Sequence, residues 1–449
     1  MALQKLTDRI KDAVRRLVSS ALIRESFTTT LWNLVGKAVG FVIPLAIAAW
    51  YGVTAGTDAF FFSYGLVQFL CNIFGPVGRA TLVPFIADIR NQEDEDVDRF
   101  VGRAFAAVTI VVVIVLAVFL GVLKFALPLV TDFSGDVRDL TYTLILETSP
   151  LVVLLTWTAI ITGVMNAYRR FSLPAVSPAF RAVVALALIF ALKGRLGLHA
   201  VPLGYVAGEA VRVVILFASM ERLTSVRTGL RDMLPEWSER VRSFLGVALF
   251  QNVGLLATSL NPVVDRTMAS WLRSGSVSVL YYADRLYFIP VSLMFTGVMV
   301  VVRSHWSEDH YGGDGALRSN LGDALRLGTL LTMPLAVVLI LISLPATDLL
   351  FGRGEFPAEK LPLVASTWRL YLAGLVPHVL RLLYIQAFLT LKDTRTTMMT
   401  ALCMNALNVA FNYGLMWRFG APGIALSTTL CNVFALVFLQ WRFSRKELD

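Results

Sequence analysis

Eight basic residues lie inside or beside long apolar stretches: Lys37, Arg79, Arg181, Arg212, Arg266, Arg285, Arg369 and Arg381. Five acidic residues occupy comparable places: Asp58, Glu147, Glu209, Asp265 and Asp284. A charge in such a setting costs roughly 2.5–3.5 kcal/mol to insert, so each should face a partner or a cavity. Glu209 and Arg212 stand one helical turn apart and can neutralise each other. Asp265-Arg266 and Asp284-Arg285 can pair across neighbouring segments, and Arg79, Arg181 and Arg266 can snorkel to an interface. Lys37 and Arg285 are harder to dispose of, because Lys37 has no acid at helical spacing. Two such cations facing one central space would suit an anionic headgroup, above all a pyrophosphate. The competing reading is local ion pairing or snorkelling. Asp58 and Asp284 are assigned to orienting neighbours or closing a gate.

A second set of polar residues is rich in oxygen. Asp265 precedes Asn405, Asn408 and Asn412, which recur at helical spacing, and Thr428 and Thr429 follow. One carboxylate with amide and hydroxyl oxygens suits a hard monovalent cation better than a transition metal. The asparagines could equally be interhelical hydrogen-bond glue, and Asp265 could be neutralised by Arg266 or Arg285. No enzyme constellation emerges. The histidines (His199, His305, His310, His378) are dispersed, and Cys71, Cys403 and Cys431 form no metal-ligand pair. A Walker-type phosphate loop is lacking, so neither a nucleotide nor catalysis is expected. Phe351-Gly352-Arg353-Gly354-Glu355-Phe356 reads as a turn.

These residues need helices to carry them. Of 449 residues 56% are hydrophobic and 16% charged, against about 25% charged in soluble domains. Mean hydropathy is +0.68. The chain is therefore a polytopic membrane protein of helices about 20 apolar residues long. The pattern predicts twelve spans at about 28–52, 57–85, 104–123, 140–167, 176–192, 199–220, 243–269, 279–302, 327–346, 364–391, 396–416 and 421–441. Lys and Arg number 24 in the loops and tails of one side and 8 on the other. The positive-inside rule then puts both termini in the cytoplasm. This bias accounts for most of the net charge of +9, so a nucleic-acid partner is not expected. Residues 1–27 read as a cytoplasmic amphipathic segment on the membrane surface rather than a cleaved signal.

The widest polar connection, 221–242, divides the chain into an N-lobe (28–220) and a C-lobe (243–442), with 443–449 as a cytoplasmic tail. The halves echo one another at an offset of 223 positions: Asp58 falls on Tyr281, and Tyr168 of one basic hairpin on Leu391 of another. Parallel repeats with a site near the midplane between them characterise transporters.

Several segments carry a resemblance. The run Ala269–Leu286 (ASWLRSGSVSVLYYADRL) followed by Pro290 is similar to the MurJ (MviN) lipid II flippase family. Thr57–Phe61, residues 166–174 (NAYRRFSLP) and Phe351–Phe356 match the same family in the same order. The resemblance spans essentially the whole chain. It implies an all-α fold of the multidrug/oligosaccharidyl-lipid/polysaccharide exporter superfamily: two pseudo-symmetric six-helix lobes around a V-shaped cavity. It also implies a flippase that carries a polyprenyl-diphosphate-linked saccharide from inner to outer leaflet of the bacterial cytoplasmic membrane by alternating access. Arg285 matches the family's C-lobe cavity arginine, and Lys37 one of its N-lobe cations. Some members bind sodium, and the best register places that ion on Asp265, Asn408, Asn412 and Thr428; sodium or the membrane potential would then drive transport. A monomer among membrane lipids is expected.

Departures bear on the cargo. Ile43-Pro44 stands where the family has an Arg-Asp pair, and Cys71-Asn72 where an Arg pair can occur. Family members usually continue for two further helices beyond span 12. Fewer cavity cations favour an exopolysaccharide or O-antigen repeat unit over lipid II. The alternatives are a cation-coupled multidrug exporter of the same superfamily, disfavoured because span 1 offers Lys37 and no acid, and a membrane enzyme acting on lipid-linked sugars, disfavoured by short loops.

Overall fold

The structure is a computed structural model that describes residue 36 and residues 38–75, 81–92, 96–224, 226, 237–308 and 314–446. Among these the regular elements are helices, with no strand. In chain order they are α1 (Ala38–Tyr51), α2 (Ala55–Phe74), α3 (Leu82–Gln92), α4 (Val97–Val130), α5 (Gly135–Thr148), α6 (Pro150–Ala167), α7 (Ser172–Leu196), α8 (Ala200–Thr224), α9 (Glu239–Ser259) and α10 (Asn261–Ala269). They continue with α11 (Ser276–Glu308), α12 (Asp314–Leu341), α13 (Ser343–Phe351), α14 (Leu361–Ala373), α15 (Leu375–Thr390), α16 (Thr394–Phe419) and α17 (Ala421–Arg445). The chain forms two compact units: Thr28–Ser274 holds α1 to α10, and the unit containing Gly275–Asp449 holds α11 to α17.

Among the described residues five helical segments are long and apolar enough to cross a bilayer, or six if the pair bent by 42° at Gly374 is one span. Leu129 and Phe125 of α4 stay 85% and 77% exposed, an apolar outer face that lipid rather than water must cover.

In the first unit α2 opens on a capping box. The Thr57 amide donates to Thr54 Oγ1 at 3.2 Å and the Thr54 amide to Thr57 Oγ1 at 2.9 Å, which satisfies two orphan donors. Predicted span 4 is broken at Ser149-Pro150. Proline cannot donate to the Leu146 carbonyl, and the Ser149 hydroxyl donates there instead, at 2.9 Å. Pro178 inside α7 repeats the arrangement: Ser177 Oγ donates to the freed Pro174 carbonyl at 2.9 Å. Predicted span 7 breaks likewise, at Leu260 between α9 and α10.

The second unit echoes the first. Helices α2, α5, α6, α7 and α8 have counterparts α11, α14, α15, α16 and α17, whose first residues follow 221 to 226 positions later. Their neighbours correspond as well: α2 packs on α5 and α11 on α14, α7 on α8 and α16 on α17, α6 on α8 and α15 on α17. Predicted span 10 is bent at Gly374, whose amide bonds to the Tyr371 carbonyl rather than one residue earlier. The Leu370 carbonyl accepts the Thr429 hydroxyl at 2.6 Å. A Cβ at Gly374 would lie 2.5 Å from that same oxygen, so the break and the approach of α17 require glycine together.

Candidate functional site

Charges buried in the first unit converge on Glu209. Its carboxylate is fully buried on α8. It accepts Thr158 Oγ1 of α6 at 2.7 Å, Arg212 Nη1 at 3.2 Å and Arg181 Nη1 of α7 at 3.5 Å. Arg212 Nε reaches Ser177 Oγ at 2.9 Å, so the hydroxyl that repairs α7 also anchors the cluster. Close approach of α7 and α8 depends on Gly204 and Gly208, a small-xxx-small pair. A Cβ on Gly208 would meet the Arg181 carbonyl oxygen at 2.5 Å. The expected Glu209–Arg212 pair is present, while Arg181 is held by Glu209 instead of snorkelling. Stacked rings of Phe60, Tyr64 and Tyr205 wall this region.

Asp58 is buried in the first turn of α2, where the helix dipole favours an anion. Asp265 and Arg266 are both buried on α10. The Arg266 guanidinium lies against Gly65 of α2, where any side chain would overlap it. Lys37 lies outside the described residues, as do Arg79 and His310.

In the second unit the Arg285 guanidinium sits 4.7 Å from the ring centroid of Tyr281, one turn earlier on α11. Arg285 and its neighbour Asp284 are half-buried. The adjacent Tyr282 is fully buried and packs on Phe351 and Phe356 at 5.1 and 5.8 Å between centroids. Two of the segments that carry the resemblance, 269–286 and 351–356, therefore meet in one aromatic cluster, Tyr282 lying one turn before Arg285 on α11. Residues 352–355 form the expected turn.

Asn408 and Asn412 are buried one turn apart on α16, with Asn412 Nδ2 donating to Asn408 Oδ1 at 3.2 Å. Ser427 Oγ of α17 donates to the Asn408 carbonyl at 3.2 Å, and Thr428 Oγ1 to its own helix at Ile424. These three residues of the cation reading share the second unit, whereas Asp265 belongs to the first. Two polar contacts escaped the sequence. His199 Nδ1 lies 2.8 and 3.0 Å from the Glu147 carboxylate oxygens. Tyr287 joins His378 across 91 positions. No local spacing signals the second, since only packing of α11 on α15 brings the two residues together.

The model of the lipid II flippase MurJ family matches residues 47–448. The lipid II flippase MurJ of Burkholderia cenocepacia is 26% identical over 434 residues, covering 94% of this chain and 84% of that protein. A solved structure of lipid II flippase MurJ in an inward closed conformation superposes with a TM-score of 0.81 at 20% identity, over 93% of this chain and 87% of the other. An inward-facing multidrug resistance transporter of the MATE family and MOP superfamily gives 0.74 at 15% identity, over 93% and 94%. The fold is thus the helical one shared by MurJ and MATE transporters, and on the match of nearly its full length this chain belongs to the lipid II flippase MurJ family.

Proposed function

We propose that the chain moves a polyprenyl-diphosphate-linked saccharide, lipid II or an exopolysaccharide or O-antigen repeat unit, from the inner to the outer leaflet of the bacterial cytoplasmic membrane. The family match over residues 47–448 carries this reading. In it, twelve spans form two six-helix lobes, 28–220 and 243–442, around a cavity that opens alternately to either side, with both termini cytoplasmic. Arg285 and Lys37 bind the diphosphate, and Asp284 and Asp58 orient neighbours or close the gate. The seating of Arg285 on Tyr281 supports its part, because an aromatic face steadies a guanidinium, and the planar fork of a guanidinium matches two phosphate oxygens. Transport draws on an ion gradient or the membrane potential, worth about 2.3 kcal/mol per charge per 100 mV. Sodium held by Asp265, Asn408, Asn412 and Thr428 is the proposed coupling ion. The amide pair of Asn408 and Asn412 supports it, being two neutral oxygen-bearing groups on one buried helix face.

Complementation tests the reading. The gene should rescue cells depleted of their lipid II flippase, or cells lacking the exporter of a capsule repeat unit, and which of the two names the cargo. Arg285→Ala should fail in the same strain while reaching the membrane, and Arg285→Lys should rescue in part. Rescue of neither strain by wild-type protein present in the membrane would overturn the proposal. Full rescue by Arg285→Ala would remove Arg285 from it.

A further inference from the structure

Three side chains of the second unit take no part in the proposed headgroup site. Tyr287 comes from α11, and His378 and Arg381 stand one turn apart on α15. The Tyr287 hydroxyl lies 3.0 Å from His378 Nδ1, and Tyr287 stacks on Tyr371 at 5.3 Å. The Arg381 charge is within electrostatic reach of both Tyr287 and His378, and the Asp284 carboxylate, one turn earlier on α11, is within reach of Tyr287. Arg381 Nη1 points to the thioether sulfur of Met404 on α16 at 3.6 Å, and Cys431 of α17 lies within reach of the same guanidinium. Arg381 Nε is buried and makes no hydrogen bond. Among the described residues no carboxylate stands within ion-pair distance of Arg381.

That combination is unfavourable as it stands. A thioether is a weak acceptor, and although Arg381 and His378 are only half-buried, the Arg381 Nε is shut off from water without an acceptor. The first unit shows how this chain meets the same need elsewhere. At the 223-position offset Tyr64 corresponds to Tyr287, Thr158 to Arg381, Arg181 to Met404, and Glu209 to Asn432. In the first unit Glu209 bonds to both Thr158 and Arg181 and supplies the negative charge. In the second the cation has moved to the neighbouring helix, and the acid's place holds a buried, neutral asparagine.

We propose that Arg381, with Tyr287 and His378, binds a small monovalent anion inside the second unit, chloride being the abundant one. The groups that meet here can donate: a guanidinium whose Nε–H makes no hydrogen bond, and the one proton that the Tyr287–His378 pair does not spend on its own bond. The guanidinium's positive charge rejects a metal cation, and the charge of one arginine balances one negative charge, which disfavours a phosphate dianion. The bound anion ties α11, α15, α16 and α17 together and completes the charge balance that Glu209 provides in the first unit.

The test is binding of ³⁶Cl⁻ to purified protein in lipid nanodiscs, with no cargo and no transport step, so failure of the flippase reading would leave it untouched. Wild-type protein should bind the tracer saturably, near one ion per chain, and unlabelled bromide should displace it. Arg381→Met should lose the binding, His378→Gln should weaken it, and Arg285→Ala should retain it. Absence of saturable binding by the wild type would overturn the proposal, and this arm needs no variant to fold. Binding that survives in folded Arg381→Met, or vanishes in Arg285→Ala, would place the anion elsewhere and overturn it equally.

Discussion

Glu209 shows what one residue does in an apolar interior. It is the common acceptor for a threonine and two arginines on three helices, and its removal would take the charge of a fully buried carboxylate away from two half-buried guanidinium groups. Breaking such a pair costs about 3–5 kcal/mol. Glu209→Ala should therefore lower the thermal midpoint of the detergent-solubilised protein sharply. Thr158→Val, which deletes one neutral donor, should cost only about 1 kcal/mol. Equal melts for the two variants would show that the cluster carries no charge balance.

Asp393 makes the opposite kind of contribution, at a helix start outside the membrane. Its Oδ1 accepts the Thr396 amide at 3.0 Å, and its Oδ2 accepts Thr396 Oγ1 at 2.9 Å and Lys446 Nζ at 2.5 Å. Burial opposes its charge, but the bonds from Lys446 and Thr396 outweigh that and push its carboxyl down to about 2. A carboxyl depressed below its unfolded value near 3.9 stabilises the fold above that pH and loses the contribution as pH falls toward 2. The contribution is thus constant from pH 5 to 8. Asp393→Ala should lower stability by about 1 kcal/mol across that range, with the difference from wild type closing only between pH 4 and 2. A difference that changes between pH 6 and 8 would contradict the assignment.

At the scale of elements, glycines set how near two helices come. A methyl at Gly208 meets backbone of α7, and one at Gly374 meets Thr429 of α17. Overpacking of this kind costs about 1–3 kcal/mol. Gly208→Ala and Gly374→Ala should each destabilise by that order, read by thermal melts. Gly121→Ala should be neutral or slightly stabilising, since nothing lies within 4 Å of the added carbon. A loss at Gly121 equal to that at Gly208 would contradict the packing account, since neither a contact nor helix propensity opposes alanine there.

The same elements show what sequence can and cannot carry. The Glu209–Arg212 pair and the Asn408–Asn412 pair were legible because each spans one helical turn. The basic hairpins and the turn at 351–356 were legible from their glycines and charges. The third partner of Glu209 was not, because Arg181 is 28 positions away on another helix and only packing brings it near. The breaks at Ser149 and Gly374 were also hidden. Average hydropathy runs smoothly through them, and what decides them is the fate of single carbonyls, those of Leu146 and Leu370.

At the scale of the whole molecule, the two units treat charge inside their helices by different means: an internal acid in the first, and in the second a half-buried arginine with no acid within ion-pair distance among the described residues. The headgroup reading adds one further demand, that Arg285 remain available to an anionic cargo while its neighbours Tyr281 and Tyr282 are locked into the protein. The most direct test is a reconstituted assay. Purified protein in proteoliposomes, loaded with a fluorescent polyprenyl-diphosphate saccharide in one leaflet, is challenged with an impermeant quencher of the headgroup under an imposed membrane potential. The account predicts that wild-type protein moves the headgroup to the quencher-accessible leaflet well above protein-free vesicles, that Arg285→Ala falls to the protein-free rate, and that Arg285→Lys lies between. Wild-type vesicles no faster than protein-free ones, or Arg285→Ala as fast as wild type, would contradict it.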